Sequence, residues 1–266
     1  MALDRGGTTD ARPRFYPVGM RRSLIVSLSV AVLGACSDPG SGARPQPSPA
    51  PRPSHEAFVN GGACSPVSES GFPSDAGCLT TVNGGDATLS VYALLNEDAK
   101  PRSWRIRLSS DEQEIDQSLR GGNEFSYPRA VGVSDVDLDG RDEWWVKVLD
   151  LAGHGAPWAR LNLFFTGDDA LIPLSSGDEP FPINYGGISR FGEGATCRNG
   201  GLVLLRAEAQ NPRNTRWTVS ERSFELDGTT ATLTGRREAS LSIQGYNDPD
   251  LNPYYRVDCN GFTYPS

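Results

Sequence analysis

Residues 131–149 read VGVSDVDLDGRDEWWVKVL, and they are the strongest indication of the fold class in this sequence. Its last part, 143–149, is rich in aromatic and β-branched side chains, which favour an extended strand. Its middle, 135–142, combines closely spaced aspartates with Gly140, which is the composition of a tight turn. The stretch therefore predicts a short acidic loop between two β-strands.

Strand patterns continue on both sides of this stretch. Further strands are predicted at 87–95, 103–108, 159–165, 201–208, 216–221 and 231–235. Gly, Asn and Asp separate them, and residues 219–233 are expected to form a hairpin around Asp227-Gly228. Only residues 110–119 have the Ser-x-x-Gln start of a short, exposed helix. The sequence predicts an all-β domain, mainly antiparallel, of propeller-blade-like or sandwich-like form.

The acidic turn has the ligand spacing of a calcium loop. Counted from Asp135, carboxylates stand at positions 1, 3, 5 and 9, a backbone carbonyl is available at position 7, and Gly140 at position 6 permits a sharp bend. The expected ligands are Asp135, Asp137, Asp139, the carbonyl of Arg141, and Glu143. An EF-hand needs Glu at position 12, where Val146 stands. We expect the shorter loop found between strands, with a structural Ca²⁺.

A solvated acidic turn without metal is the alternative interpretation. Residues 135–143 hold five carboxylates, which would repel one another without a cation. This repulsion favours ion binding.

With its flanks, the loop resembles a repeat of the FG-GAP or VCBS type. The resemblance covers residues 129–148 and rests on the DxDxDGxxE core, of which no second copy is present. Such repeats form β-propeller blades in integrin-like and bacterial surface proteins. The wider layout, with a Gly-His-Gly-Ala segment at 153–156 and a late cysteine, resembles hypothetical lipoproteins of high-GC Gram-positive bacteria. That family implies no activity.

The N-terminal region has the parts of an export signal. Met20-Arg21-Arg22 is basic, residues 23–33 are apolar, and Leu33-Gly34-Ala35-Cys36 follows at once. The apolar run is too short to span a bilayer. The last four residues resemble the lipobox of bacterial lipoproteins, which implies a diacylglyceryl group on Cys36. Since two acyl chains hold a protein stably at a membrane, we expect an extracytoplasmic protein anchored to the cell membrane.

Two alternatives to the lipobox remain. The chain could be an ordinary secreted protein in which Cys36 pairs with another cysteine, or Arg21-Arg22 could belong to a twin-arginine signal.

The chain divides into four segments by composition. Residues 1–19 lack periodicity and precede a ready-made start, so they are expected to be an upstream extension outside the translated protein. Residues 20–35 are the predicted signal peptide. Residues 36–57 are rich in Pro, Ser and Gly, which predicts an extended tether. Residues 58–266 are expected to form the β domain.

Four cysteines remain after Cys36. An even number in an exported chain predicts two disulfides, with three possible connectivities. The favoured pairs are Cys64–Cys78, which closes a short loop, and Cys197–Cys259, which ties the last strand back. A zinc site is excluded because no CxxC pair and no nearby histidine exist.

Few other residues suggest chemistry. His154 lies in a Gly-rich loop and is a candidate ligand contact or catalytic group, a polar loop residue being the alternative. Trp144 and Trp145 are adjacent, so on a strand they face opposite sides. Trp145 with Trp158 is a candidate stacking platform, with core packing as the alternative. Nucleophile-elbow, P-loop and dinucleotide patterns are absent, and no catalytic residue is predicted.

Two functional hypotheses follow. The first is a non-enzymatic, lipid-anchored protein with a calcium-stabilised β domain, which binds an unidentified cell-envelope or protein partner or has a structural role. The second is an extracytoplasmic hydrolase that acts on carbohydrate through paired carboxylates. The net charge of −8 argues against nucleic acid as a partner.

Overall fold

Strands dominate the part of the chain that the structure describes. The computed structural model describes residues 64–119, 127–150, 158–245 and 247–265. In chain order the strands are β1 Ala76–Gly84, β2 Ala87–Leu95, β3 Pro101–Ser109, β4 Glu114–Leu119, β5 Arg129–Ser134, β6 Glu143–Asp150, β7 Trp158–Thr166, β8 Leu171–Pro173, β9 Ser175–Ser176, β10 Glu179–Pro180, β11 Ile183–Ile188, β12 Phe191–Arg198, β13 Gly201–Ala209, β14 Arg216–Asp227, β15 Thr230–Ser242, β16 Val257–Cys259 and β17 Phe262–Tyr264. A 3₁₀ helix, Pro249–Tyr255, precedes β16.

The predicted signal peptide, Cys36, the tether and His154 lie outside the described residues. Within the described ranges, no helix is long and apolar enough to cross a membrane.

The described strands form two sheets. Strands β1 to β4 make an antiparallel meander in chain order. The larger sheet has the order β10-β9-β15-β14-β13-β12-β11-β7-β6-β5, with β8 on β7 and the β16–β17 hairpin on β12. Among these strands, only the β12–β16 and β15–β9 pairs are parallel. The prediction of a mainly antiparallel all-β fold is confirmed.

Strand β6 separates two hydrophobic cores. Trp144 and Val146 pack in the first core with Ile106 and other side chains of the β1–β4 sheet. Trp145 points the other way and packs in the second core with Leu163 of β7. Side chains alternate across a strand, so β6 contributes to both cores at once. Because the smaller sheet packs over β5 to β7, the domain is sandwich-like.

The helix predicted at 110–119 is wrong. Its first residues form a turn, in which the Ser110 hydroxyl accepts a hydrogen bond from a backbone N–H, and the rest is strand β4. Ile115 and Leu119 are buried on one face of that strand. Gln117 lies on the same face and exchanges two hydrogen bonds with the backbone of β8, at 2.8 and 3.0 Å. Period-two burial therefore outweighs the helix-start signal.

Both predicted disulfides are confirmed. Cys64–Cys78 joins the first described residue to β1, and Cys197–Cys259 joins β12 to β16 across 62 residues of sequence. A bridge that closes a short loop stabilises a fold by on the order of 3 kcal/mol, because it restricts the unfolded chain.

Peptide mapping without reduction is expected to recover these two pairs. The physical reason is proximity, since each pair lies on neighbouring backbone segments of the folded domain. Mass spectrometry of proteolytic fragments, with a reduced sample as control, measures the pairing. Crossed pairs or four free thiols would contradict this expectation.

Candidate metal centre

The acidic loop, residues 135–142, joins β5 to β6 and turns sharply. Ser134 and Glu143 are paired across the two strands, so the loop begins and ends at adjacent positions. Leu138 and Gly140 have positive φ values of 65° and 87°, and Leu138 is exposed. A left-handed backbone is unfavourable for a residue such as leucine, so the loop holds a strained conformation at its tip.

Aspartate side chains of this loop accept hydrogen bonds from the loop's own backbone. The backbone N–H groups of Asp139, Gly140 and Arg141 donate to carboxylates of Asp137, Asp135 and Asp139 respectively, at 3.2, 3.1 and 2.8 Å. Such local bonds are characteristic of Asx turns. They hold the side chains of Asp135 and Asp137 against the backbone of the loop.

Three of the four predicted carboxylate ligands converge. Asp135, Asp137 and Glu143 each place an oxygen within 4.8 Å of the other two. Asp139 is exposed and lies outside this group. Carboxylate oxygens at this separation match the oxygen ligands that a hard cation such as Ca²⁺ prefers.

Glu143 is the most buried member of the cluster, with 2% of its surface exposed. Burial raises the pKa of Glu143 to about 8; the Val136 N–H, which donates to its carboxylate at 2.6 Å, opposes the shift, and the neighbouring aspartates add to it. Burial also raises the pKa of Asp137. The folded protein therefore disfavours the charged form of this site.

The cluster also has an unsatisfied acceptor. The Oδ1 atom of Asp135 is buried and has no hydrogen-bond partner, and the ion pairs formed among the described residues do not involve Asp135, Asp137 or Glu143. A buried acceptor without a hydrogen-bond partner costs about 1–3 kcal/mol. The donor set fits a bound divalent cation, which would remove this cost.

Sequence reasoning missed Asn260. Its side-chain amide, in the β16–β17 turn, donates to the carbonyl oxygen of Asp135 at 2.6 Å. The two residues are 125 positions apart, and no local pattern links them.

An open groove of about 900 Å³ lies beside the loop. The carboxylates of Asp86, Glu112 and Asp168 line it in addition to those of the loop, and all three are exposed. A general acid in glycoside hydrolysis needs a raised pKa, which burial provides. Among the carboxylates that line the groove, Glu143 is the buried one, and its pKa is raised to about 8. The carbohydrate hydrolase therefore stays a prediction.

The predicted aromatic platform is wrong. Trp145 has no exposed surface, because its ring stacks on Phe262 at a centroid distance of 5.0 Å in the second core. Trp158 is half-buried, donates from Nε1 to Glu193 at 3.0 Å and packs edge-on against Phe191. Trp145 therefore has no face to offer a ligand, and core packing is its role.

Fold and site together define a disulfide-bonded, sandwich-like β domain with an acidic loop between β5 and β6, at one end of the larger sheet. No family model matches the chain, and no curated protein matches it. Among solved structures, it is similar to a Xanthomonas protein described as related to the type IV secretion system, with 12% identity and a TM-score of 0.28. The similarity covers 65% of this chain and 97% of that chain. At this TM-score it does not establish a shared fold or function.

Proposed function

We propose that this chain is a lipid-anchored extracytoplasmic protein whose β domain binds one structural calcium ion. Its role is to bind a cell-envelope or protein partner, or to serve as a structural element of the envelope. The observation that carries the proposal is the converging carboxylate cluster of Asp135, Asp137 and Glu143, which is half-buried to buried and lacks a cation partner.

The ion would link both ends of the acidic loop. Asp135 directly follows β5 and Glu143 begins β6, so a shared cation fixes the geometry of the two strands where they leave the cores. Asp139 and the carbonyl of Arg141 are further candidate ligands, with water completing the six to eight oxygens that Ca²⁺ takes. The chemistry is electrostatic stabilisation, and no reaction step is assigned to it.

Three further observations support the proposal. The loop resembles the FG-GAP and VCBS repeats in residues 129–148. The two disulfides agree with an oxidising compartment outside the cytoplasm. The predicted signal peptide ends at a lipobox-like sequence, and its cysteine, Cys36, would hold the protein at the membrane.

Calorimetric titration of the purified full-length chain tests the calcium site. One calcium ion per chain is expected to bind, and magnesium is expected to bind more weakly because it demands a tighter octahedral set of ligands. Asp142→Ala serves as a matched control, since its side chain is exposed in the same loop but outside the converging group. No binding heat with calcium would refute the site.

Cys36→Ser is expected to release the protein from the membrane fraction or leave its precursor uncleaved. Without the thiol no acyl chains can be attached to residue 36, so the two-chain anchor is lost. Fractionation and labelling with a radioactive fatty acid measure the effect, with Cys64→Ser as the control for loss of a thiol elsewhere. Unchanged fractionation and equal labelling would contradict the anchor.

A further inference from the structure

The acidic loop is contacted by two tight turns from the distant C-terminal half of the chain. The first is the β16–β17 turn, Asn260-Gly261, whose residues have positive φ values of 43° and 91°. From this turn the Asn260 side chain donates to the carbonyl oxygen of Asp135. The first predicted ligand thus has its backbone fixed from outside the loop.

The second turn, Asn199-Gly200, joins β12 to β13. A Cβ atom on Gly200 would lie 2.7 Å from the carbonyl oxygen of Asp137, which is closer than real Cβ contacts come. The backbone of Gly200 therefore lies directly against the backbone of the second predicted ligand. Only glycine satisfies both this close approach and the φ of 72°.

The Cys197–Cys259 disulfide connects these two turns. Cys197 stands two residues before Asn199, and Cys259 immediately precedes Asn260. Phe262, which directly follows the Asn260-Gly261 turn, stacks on Trp145 and occupies the space where a Cβ of Gly132 would be. The C-terminal hairpin is thereby held against β5 and β6, the two strands that carry the loop.

We propose that these two turns, joined by Cys197–Cys259, act as a positioning clamp that sets the calcium affinity of the acidic loop. The inference rests on the proposed calcium site. The clamp contributes no carboxylate; it fixes the backbone at Asp135 and Asp137, so fewer conformations are lost when the ion binds. Outer contacts that orient metal ligands commonly change affinity by ~10- to 100-fold.

The affinity of the full-length chain for calcium tests the clamp. The clamp variants are Cys197→Ala with Cys259→Ala, and separately Asn260→Ala with the disulfide intact. The matched control is Cys64→Ala with Cys78→Ala, because that disulfide belongs to the first core and joins neither of the two turns. Both clamp variants are expected to bind calcium ~10- to 100-fold more weakly than wild type, and the control to keep the wild-type dissociation constant.

The possible outcomes distinguish failure of the clamp from failure of the calcium site. If wild type binds no calcium, the proposed calcium site fails, and the clamp with it. If wild type and all variants bind calcium with equal affinity, the site stands and the clamp is overturned. Melting midpoints measured in chelator report a general loss of stability, which lowers the midpoint of the control pair as well. Only loss of the clamp raises the dissociation constant for calcium. If the double cysteine variant does not fold, Asn260→Ala decides, since its side chain is exposed.

Discussion

Calcium is expected to raise the free energy of unfolding by about 4 kcal/mol at a thousandfold excess over its dissociation constant. The ion binds the folded loop, where Asp135, Asp137 and Glu143 converge, and the unfolded chain does not hold these groups together. Melting curves of the full-length chain in calcium and in chelator measure the difference.

Asp137→Ala is expected to abolish this gain. The variant removes one of the three converging carboxylates, whereas Asp142→Ala removes an exposed carboxylate from the same loop and should keep the full calcium effect. In chelator the Asp137 variant should melt at or above the wild-type midpoint, because one of several mutually repelling charges is gone. Identical midpoints of wild type in calcium and chelator would show that the loop is only an acidic turn.

Much of the fold follows from local sequence patterns. The run at 143–149 has the composition of a strand and is one, and Asp227-Gly228 lies at the turn of the β14–β15 hairpin as predicted. Cysteine number and export context predict two disulfides, and the pairing favoured among the three possible ones is the pairing observed. These features can be predicted from one sequence, because they depend on residues that are close in sequence or on the number of cysteines.

Other parts of the fold depend on contacts that sequence patterns do not contain. Strands β9, β10, β16 and β17 have two or three residues each, too few for a period-two pattern to appear. Residues 110–119 were predicted as a helix because the start signal is local, whereas the hydrogen bonds of Gln117 reach 54 residues along the chain.

The candidate site likewise has one part that the local sequence pattern predicts and another part that depends on long-range contacts. The spacing of Asp135, Asp137 and Glu143 predicts a cluster that the structure brings together, because Glu143 begins the strand that directly follows the loop of the two aspartates. Asp139 was predicted by the same spacing, but it is exposed outside the converging group. Asn260 and Gly200 reach the loop only through sheet topology, so no spacing rule could have found them.

Trp145 shows why a strand between two cores is difficult to predict. Adjacent tryptophans on a strand face opposite sides, so one of them is expected to be exposed if the sheet has a single buried face. Here both faces of β6 are covered, by the β1–β4 sheet on one side and by the C-terminal hairpin and neighbouring strands on the other. Both Trp144 and Trp145 are therefore buried.

Replacing Trp145 with alanine is expected to lower the free energy of unfolding by about 3–5 kcal/mol. The substitution leaves a cavity beside Phe262, which loses its stacking partner. It also leaves the hydroxyl of Ser134, a buried residue, without the Nε1–H donor that now lies 2.8 Å away, and an unsatisfied buried polar group adds to the loss.

Trp158→Ala is the matched control for this substitution. Its ring is half-buried at the start of β7 and packs against Phe191 and Glu193 near the surface, so a loss of about 1 kcal/mol is expected, as for a typical substitution. Urea unfolding of both variants and wild type, each saturated with calcium, measures the two losses. Because Phe262 belongs to the hairpin that contacts the acidic loop, Trp145→Ala should also weaken calcium binding, and Trp158→Ala should not. Equal losses of stability in the two variants would contradict the conclusion that Trp145 packs β6 against the C-terminal hairpin in the second core.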